Sequence, residues 1–210
     1  DRMKKALGEE FDAFFAEYDK PAVKALRFNT RKVRPETITK LTDEWSLTPV
    51  PWCKDAYYYE ESESLRPGLS PYHDAGVFYI QEPSAMITAE KAEIEPDDIV
   101  LDLCAAPGGK STQAAAKAGI LVSNEPIAKR ARILSSNIER MGFDNCIVCS
   151  AYPDELAAAF TGFFDKIIVD APCSGEGMMR KDETAVSEWS EANVEACIER
   201  QREVLEGAQH

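Results

Sequence analysis

The stretch Ile99-Val-Leu-Asp-Leu-Cys-Ala-Ala-Pro-Gly-Gly-Lys-Ser-Thr-Gln113 decides the reading of this chain. Residues 99–103 form a short apolar run, the signature of a buried parallel strand. Cys104 to Gly109 is a turn of small residues, and from Lys110 the Ala- and Gln-rich sequence predicts a helix. A strand, a glycine turn and a helix start form a cradle, because small side chains let a ligand approach the backbone. Asp102 falls at the carboxyl end of the strand, where open α/β sheets bind ligands.

Two cofactors fit such a turn. Gly108-Gly109-Lys110-Ser111 imitates the end of a P-loop, with Ile167-Ile168-Val169-Asp170 as an acidic strand for magnesium. Cys104, however, stands where the first P-loop glycine belongs. A nucleoside cofactor needs an acid at the end of the next strand, and Glu125 supplies one about 20 residues beyond the turn.

The surrounding pattern alternates. Strands are predicted at 99–103, 120–123, 146–149 and 166–170, and helices at 110–117, 127–141, 154–160 and 186–207, which is a doubly wound parallel sheet. Upstream, an apolar stripe of Leu7, Phe11, Phe14 and Phe15 predicts a helix over 3–18, and alternation predicts a strand over 25–33 with Leu26 and Phe28 on one face. A helix is expected over 37–45 and a strand over 77–81. The tyrosines at 57, 58 and 59 suit core packing better than base stacking. The boundary falls at 72–76, giving an N-terminal α+β lobe (residues 1–75) and a sheet domain (residues 76–210).

With 210 residues and 44% hydrophobic content, the chain can bury one good core and a smaller lobe. No apolar run is long enough to span a bilayer. The opening residues read as an amphipathic helix rather than a signal peptide, so a cytoplasmic location and a trimmed N-terminus are expected. The net charge of −13 disfavours nucleic acid in bulk. Lys24, Arg27, Arg31, Lys32 and Arg34 nevertheless cluster without an acid, either as a nucleic-acid contact or as a solvated strand edge. The six cysteines form no disulfide framework. Cys146 and Cys149 lie three apart on a strand and point to opposite faces, so no metal site is expected.

The second chemical motif is Asp170-Ala-Pro-Cys-Ser-Gly-Glu-Gly177, an acid and a thiol at the end of the fourth strand. Cys173 is a candidate nucleophile or acid/base in a stiff, tightly turning loop. With this motif in place, the chain resembles the RNA cytosine-5 methyltransferases of the NOL1/NOP2/Sun family, and within it the bacterial 16S ribosomal RNA methyltransferases of the RsmF/YebU group. The resemblance rests on Ala25-Leu-Arg-Phe-Asn-Thr30, Tyr79-Ile-Gln-Glu-Pro-Ser-Ala-Met86, Asp102-Leu-Cys-Ala-Ala-Pro-Gly-Gly-Lys110, Asn124-Glu125 with Lys129-Arg130, and Asp170-Ala-Pro-Cys-Ser-Gly-Glu-Gly-Met178 with Arg180-Lys-Asp182.

The resemblance implies a Rossmann-like methyltransferase sheet, S-adenosyl-L-methionine as cofactor and ribosomal RNA, or a small-subunit assembly intermediate, as partner. It implies that Cys104, Ala105, Ala106, Pro107, Gly108, Gly109 and Lys110 wrap the cofactor. Glu125 would hold the ribose hydroxyls with Arg130 beside it, and Asp170 would lie between cofactor and target cytosine. The family's acid after the third strand has no counterpart in Ser150-Ala151-Tyr152; Asp154 is the next acid. The family also carries a second cysteine, preceded by threonine, on a later strand that attacks cytosine C6, while the cysteine matching Cys173 assists product release. That segment does not occur in these 210 residues, so the sheet is expected to be incomplete at its C-terminal side and the chain alone inactive. The alternatives are a partial binding module for cofactor or RNA, or a P-loop NTPase.

Overall fold

A computed structural model describes residues 2–63, 65–179, 186–187 and 189–209. Two sheets organise it. The first is antiparallel, in the order β2 (Thr48–Pro49), β3 (Ala56–Tyr58), β1 (Ala25–Phe28), β4 (Phe78–Ile80). One of its faces carries helix α3 (Pro35–Glu44) over Leu26, Phe28, Leu41, Leu47, Tyr59 and Phe78. The other face packs Ala25, Val50, Cys53 and Ala56 on Met86 of α5 (Pro83–Lys91). A central strand covered on both sides has no solvent face, and all four β1 residues are buried. Tyr57 meets Phe28 edge-to-face at 5.6 Å, so these tyrosines serve packing.

The second sheet is parallel, in the order β7 (Cys146–Cys149), β6 (Ile120–Asn124), β5 (Ile99–Asp102), β8 (Lys166–Ile168). Its side chains alternate between two cores. Val100, Leu121 and Ile168 face Ala114 of α6 (Gly109–Ala115) and Leu134 and Ile138 of α7 (Ala128–Met141). Leu101, Val122 and Ile167 face Leu156 of α8 (Pro153–Ala159) and Val204 of α9 (Glu191–Gly207). This period of two, buried on both faces, is what the apolar runs specify. The order runs outward from β5 to β7 on one side and jumps to β8 on the other. The direction of winding therefore reverses between β5 and β8, and a crevice opens at their carboxyl ends.

Several expected elements are corrected. The helix expected over 3–18 is two short helices, α1 (Arg2–Leu7) and α2 (Phe11–Ala16), parted at Gly8, whose φ of +53° is left-handed. Its apolar stripe meets itself, Phe11 on Phe15 at 5.6 Å, and has no buried residue. The strand expected at the head of the second domain is β4, which follows the short helix α4 (Pro71–Asp74) and pairs with β1; by sheet membership the first layer runs to Ile80. Helix α9 begins at Glu191 rather than at 186, because the Ser190 hydroxyl accepts from the Asn193 N–H as an N-cap. Strand β8 stops at Ile168, so Asp170 lies in the following loop.

The basic cluster is the largest correction. Arg27 is 3% exposed, and its Nη2 donates to the Gly109 carbonyl at 3.2 Å and to Thr112 Oγ1 at 2.8 Å. Arg31 donates to the Ala118 carbonyl, and Lys32 to the carbonyls of Ala75 and Arg140. Asn29 adds bonds to the carbonyls of Gly76 and Met141. Three of the five cluster cations are thus occupied in tying the N-terminal layer to the parallel sheet domain. The sequence misled because Leu26 and Phe28 occupy one face of β1, which implied water on the other; α5 and α6 stand there instead.

Candidate functional site

The turn between β5 and α6 is held from three sides. The Ala105 N–H, three residues past the end of β5, donates to the Asn124 carbonyl at 2.8 Å and ties the turn to β6. From α7, Arg130 Nη2 reaches the Ala106 carbonyl at 3.2 Å and Asn137 Nδ2 the Pro107 carbonyl at 2.9 Å. From the N-terminal layer, Arg27 reaches the Gly109 carbonyl. Gly108 has a φ of +115°, and a Cβ there would stand 3.1 Å from Leu134 Cδ1. Both the backbone angle and the close approach require glycine.

Beneath this turn, Asp102 is fully buried. Its Oδ2 accepts from Ser111 Oγ at 2.7 Å, while Oδ1 has no partner among the described residues. Burial pushes its pKa up to about 6, with Ser111 and Lys110 pulling the other way. Ser111 is itself buried and engaged. In a P-loop that hydroxyl would be free for a metal ion, so the geometry disagrees with the nucleotide-triphosphate alternative.

At the end of β6, Glu125 is 2% exposed. Its Oε1 accepts from the Ile127 N–H at 3.0 Å, and Oε2 lies 3.3 Å from Arg130 Nη1. Arg130 therefore links the acid after β6 to the turn after β5. Cys104 is half-buried, and burial together with the negative field of Asp102, Glu125 and Asp170 pushes its thiol up to about 11. It stays protonated and acts as a small packing residue.

The two motifs meet through one contact: Lys110 Nζ donates to Asp170 Oδ2 at 2.6 Å. The lysine side chain is 16% exposed and the aspartate 59%, so the pair stands at the mouth of the crevice. Beyond it, Cys173 is exposed on the loop after β8. That loop is held by Gln201 Nε2 of α9, which donates to the Pro172 carbonyl at 3.0 Å, and turns at Gly175 with φ +78°.

Sequence reasoning missed the residues that hold these loops. Asn124 is the main one: its Nδ2 donates to the carbonyls of Leu103 and Ala151, and its Oδ1 accepts from the Ala151 N–H. Asn137, Gln201 and Arg27 act similarly. A buried asparagine at a strand end was the available signal, since Asn in a strand is disfavoured unless its amide is used. Tyr152, in the region of the missing acid, is exposed, and its N–H donates to Glu155 at 2.7 Å. The Arg180–Asp182 piece of the second motif lies outside the described residues. Among the described residues no group of three His, Cys, Asp or Glu is placed to hold a metal, and no helix is long and apolar enough to cross a membrane.

Comparison with known proteins adds to this geometry. Residues 1–83 match the family described as the N-terminal domain of 16S rRNA methyltransferase RsmF, and residues 90–210 the family described as 16S rRNA methyltransferase RsmB/F. The ribosomal RNA small subunit methyltransferase F of Enterobacter sp. (strain 638) is 39% identical over 220 residues, covering 100% of this chain and 46% of that protein. Its counterpart in Vibrio parahaemolyticus is 40% identical, covering 94% of this chain and 43% of that one. The chain thus spans somewhat less than half the length of these relatives. A crystal structure of a methyltransferase homologue from Pyrococcus horikoshii matches with a TM-score of 0.80 at 26% identity, covering 96% of this chain and 64% of that one.

Proposed function

Because this chain belongs to the 16S rRNA methyltransferase RsmB/F family, we propose that its crevice takes S-adenosylmethionine and serves the methylation of cytosine C5 in small-subunit ribosomal RNA. The observation that carries this reading is the Lys110–Asp170 contact, which joins the glycine turn after β5 to the Asp-Ala-Pro-Cys loop after β8. A cofactor turn and a thiol-bearing loop then face one crevice at the reversal point of the sheet.

The residues fit the cofactor. Asp102 Oδ1 is a buried acceptor without a partner among the described residues, and the ammonium of the cofactor's amino-acid end is a donor of matching charge. Glu125 is a buried carboxylate at the end of the adjacent strand, suited to two ribose hydroxyls, with Arg130 fixing its second oxygen. The turn 104–110 runs between them. When bound, the cofactor supplies an electrophilic methyl group.

Cytosine C5 is a poor nucleophile until a thiolate adds to C6; after methyl transfer the C5 proton must leave and the C6–sulfur bond must break. The resemblance assigns the attack to a second cysteine and release to the cysteine matching Cys173. The exposure of Cys173, on a loop pinned by Gln201, supports its use on a base that has left its stack. Asp170, held by Lys110, is the residue to which the resemblance gives the position between cofactor and target cytosine.

The test is Cys173→Ser in the full-length protein, incubated with ribosomal RNA and cofactor. Release should fail after transfer, so RNA should remain on the protein as a shifted band under denaturing conditions. If the variant neither methylates nor traps RNA, Cys173 is the attacking thiol and the assignment of the two cysteines is reversed.

A further inference from the structure

The buried Arg27 is the least expected group in the N-terminal layer. It is 3% exposed, has no ion-pair partner among the described residues, and burial lowers its pKa to about 10, so it remains charged at neutral pH. Burying a guanidinium without a paired carboxylate is unfavourable, and apolar packing would stabilise the same space better. A tie between layers does not need a charge either, since Asn29 provides one with a neutral amide.

What Arg27 touches explains it. Its Nη2 is shared between the Gly109 carbonyl and Thr112 Oγ1, and its Nε donates to Gln81 Oε1 at 3.3 Å. Thr112 Oγ1 donates in turn to the same Gly109 carbonyl at 3.1 Å. Gln81 and Tyr79 form the floor: a Cβ on Gly109 would stand 3.3 Å from Gln81 Cδ and 3.4 Å from Tyr79 Cε1. Three carbonyls of the turn, those of Ala106, Pro107 and Gly109, each accept a side-chain donor from outside α6. Two of these donors come from α7; the third comes from the other layer, 82 residues away in sequence.

We propose that Arg27 is a positioning residue for the cofactor turn: the N-terminal layer, through Arg27 and its floor of Tyr79 and Gln81, sets the conformation of residues 108–110 and thereby cofactor affinity. Arg27 itself does not touch the cofactor. The charge serves because a guanidinium bonds Gly109, Thr112 and Gln81 at once in a fixed plane, which neither lysine nor an amide can do. This inference rests on the assignment of the turn to S-adenosylmethionine.

The test compares four variants of the full-length protein: Arg27→Met, Arg27→Lys, Thr112→Val and, as a control that cuts a different tie between the layers, Asn29→Ala. Cofactor affinity is read by calorimetry, melting temperature without ligand, the KM for cofactor and kcat by methyl transfer, and hydrogen exchange in a peptide over 104–110. Arg27→Met is expected to weaken cofactor binding at least tenfold and to raise KM more than it lowers kcat. Arg27→Lys and Thr112→Val should weaken binding three- to tenfold, with faster exchange over 104–110. Asn29→Ala should lower the melting temperature comparably while changing cofactor affinity less than twofold. If Asn29→Ala weakens binding as much as the others, Arg27 is only part of a general tie and the inference fails. Folded Arg27→Lys and Thr112→Val proteins that bind as the unmodified protein does would also overturn it. Should Arg27→Met not fold, those two variants still decide. Failure of the unmodified protein to bind S-adenosylmethionine would instead remove the proposed function, and the inference with it.

Discussion

Replacing Asp102 by asparagine should change how stability depends on pH. Asp102 is fully buried, with one oxygen on Ser111 and the other unpartnered among the described residues. Burial raises its pKa from the ordinary 3.8 to about 6. Between these two values the folded chain holds a proton that the unfolded chain has released. Stability from this group is therefore fully present below pH 3.8, declines as pH rises, and is gone once pH passes about 6. The displacement is roughly two pH units, and at about 1.4 kcal/mol for each the total is on the order of 3 kcal/mol. Asparagine cannot titrate, so the unfolding free energy of the native chain minus that of Asp102→Asn should fall by that amount from acid to neutral pH. The constant offset from the new amide cancels in this slope. Urea unfolding at half-unit steps from pH 4 to 7.5, without ligand, measures it. Parallel curves for the two proteins would refute the argument, because they would mean that Asp102 is ionised in both states throughout.

Three other outcomes follow from described contacts. Glu125→Ala should weaken S-adenosylmethionine by ~1–3 kcal/mol, the loss of charge-assisted bonds to two hydroxyls; unchanged affinity by calorimetry would show that the acid after β6 reads something else. Gly76→Ala should destabilise the chain by at least ~2 kcal/mol, since Gly76 has φ +68° and a Cβ there would stand 2.1 Å from the Arg140 carbonyl; the denaturant midpoint reports it. Leu134 is fully buried between α7 and the sheet, and Leu134→Ala should cost about 2–5 kcal/mol. It should also loosen the turn at Gly108, which rests on Leu134 Cδ1, so its cofactor affinity should fall as well.

The parallel sheet was legible because its strands are short, apolar and separated by helices of ordinary length. A period-two pattern buried on both faces leaves few alternatives, and strands 99–103, 120–123 and 146–149 fall within a residue of β5, β6 and β7. The N-terminal layer was less legible. Its strands are three or four residues long where they matter, and β1 has neighbours on both faces that no local pattern reveals. That is why Arg27 read as surface charge. The two chemical loops could be placed at strand ends from the sequence, but not the side chains that hold them. Lys110 on Asp170 is a contact between residues 60 apart, and Arg27 on Gly109 one between residues 82 apart. Such pairings follow from sheet order, which the helix–strand alternation narrows but does not rank.

The amide of Asn124 bridges the ends of two strands that flank its own. Through it the segments after β5 and β7 are bound to each other as well as to the sheet. The loop after β8 lies on the far side of β5 from this bridge and is anchored differently, by Gln201 at Pro172 and by a half-exposed ion pair at Asp170. The crevice is therefore asymmetric in preorganisation. On the side of β5 to β7 the conformational entropy of the loops has been given up during folding, so a ligand there binds a surface already in shape. On the β8 side the anchor is a helix rather than the sheet, and under the proposed function part of that ordering would fall to the arriving nucleotide. A change at Gln201 should then alter engagement of the target base while leaving cofactor affinity as it was, which separates the two halves of the site by experiment.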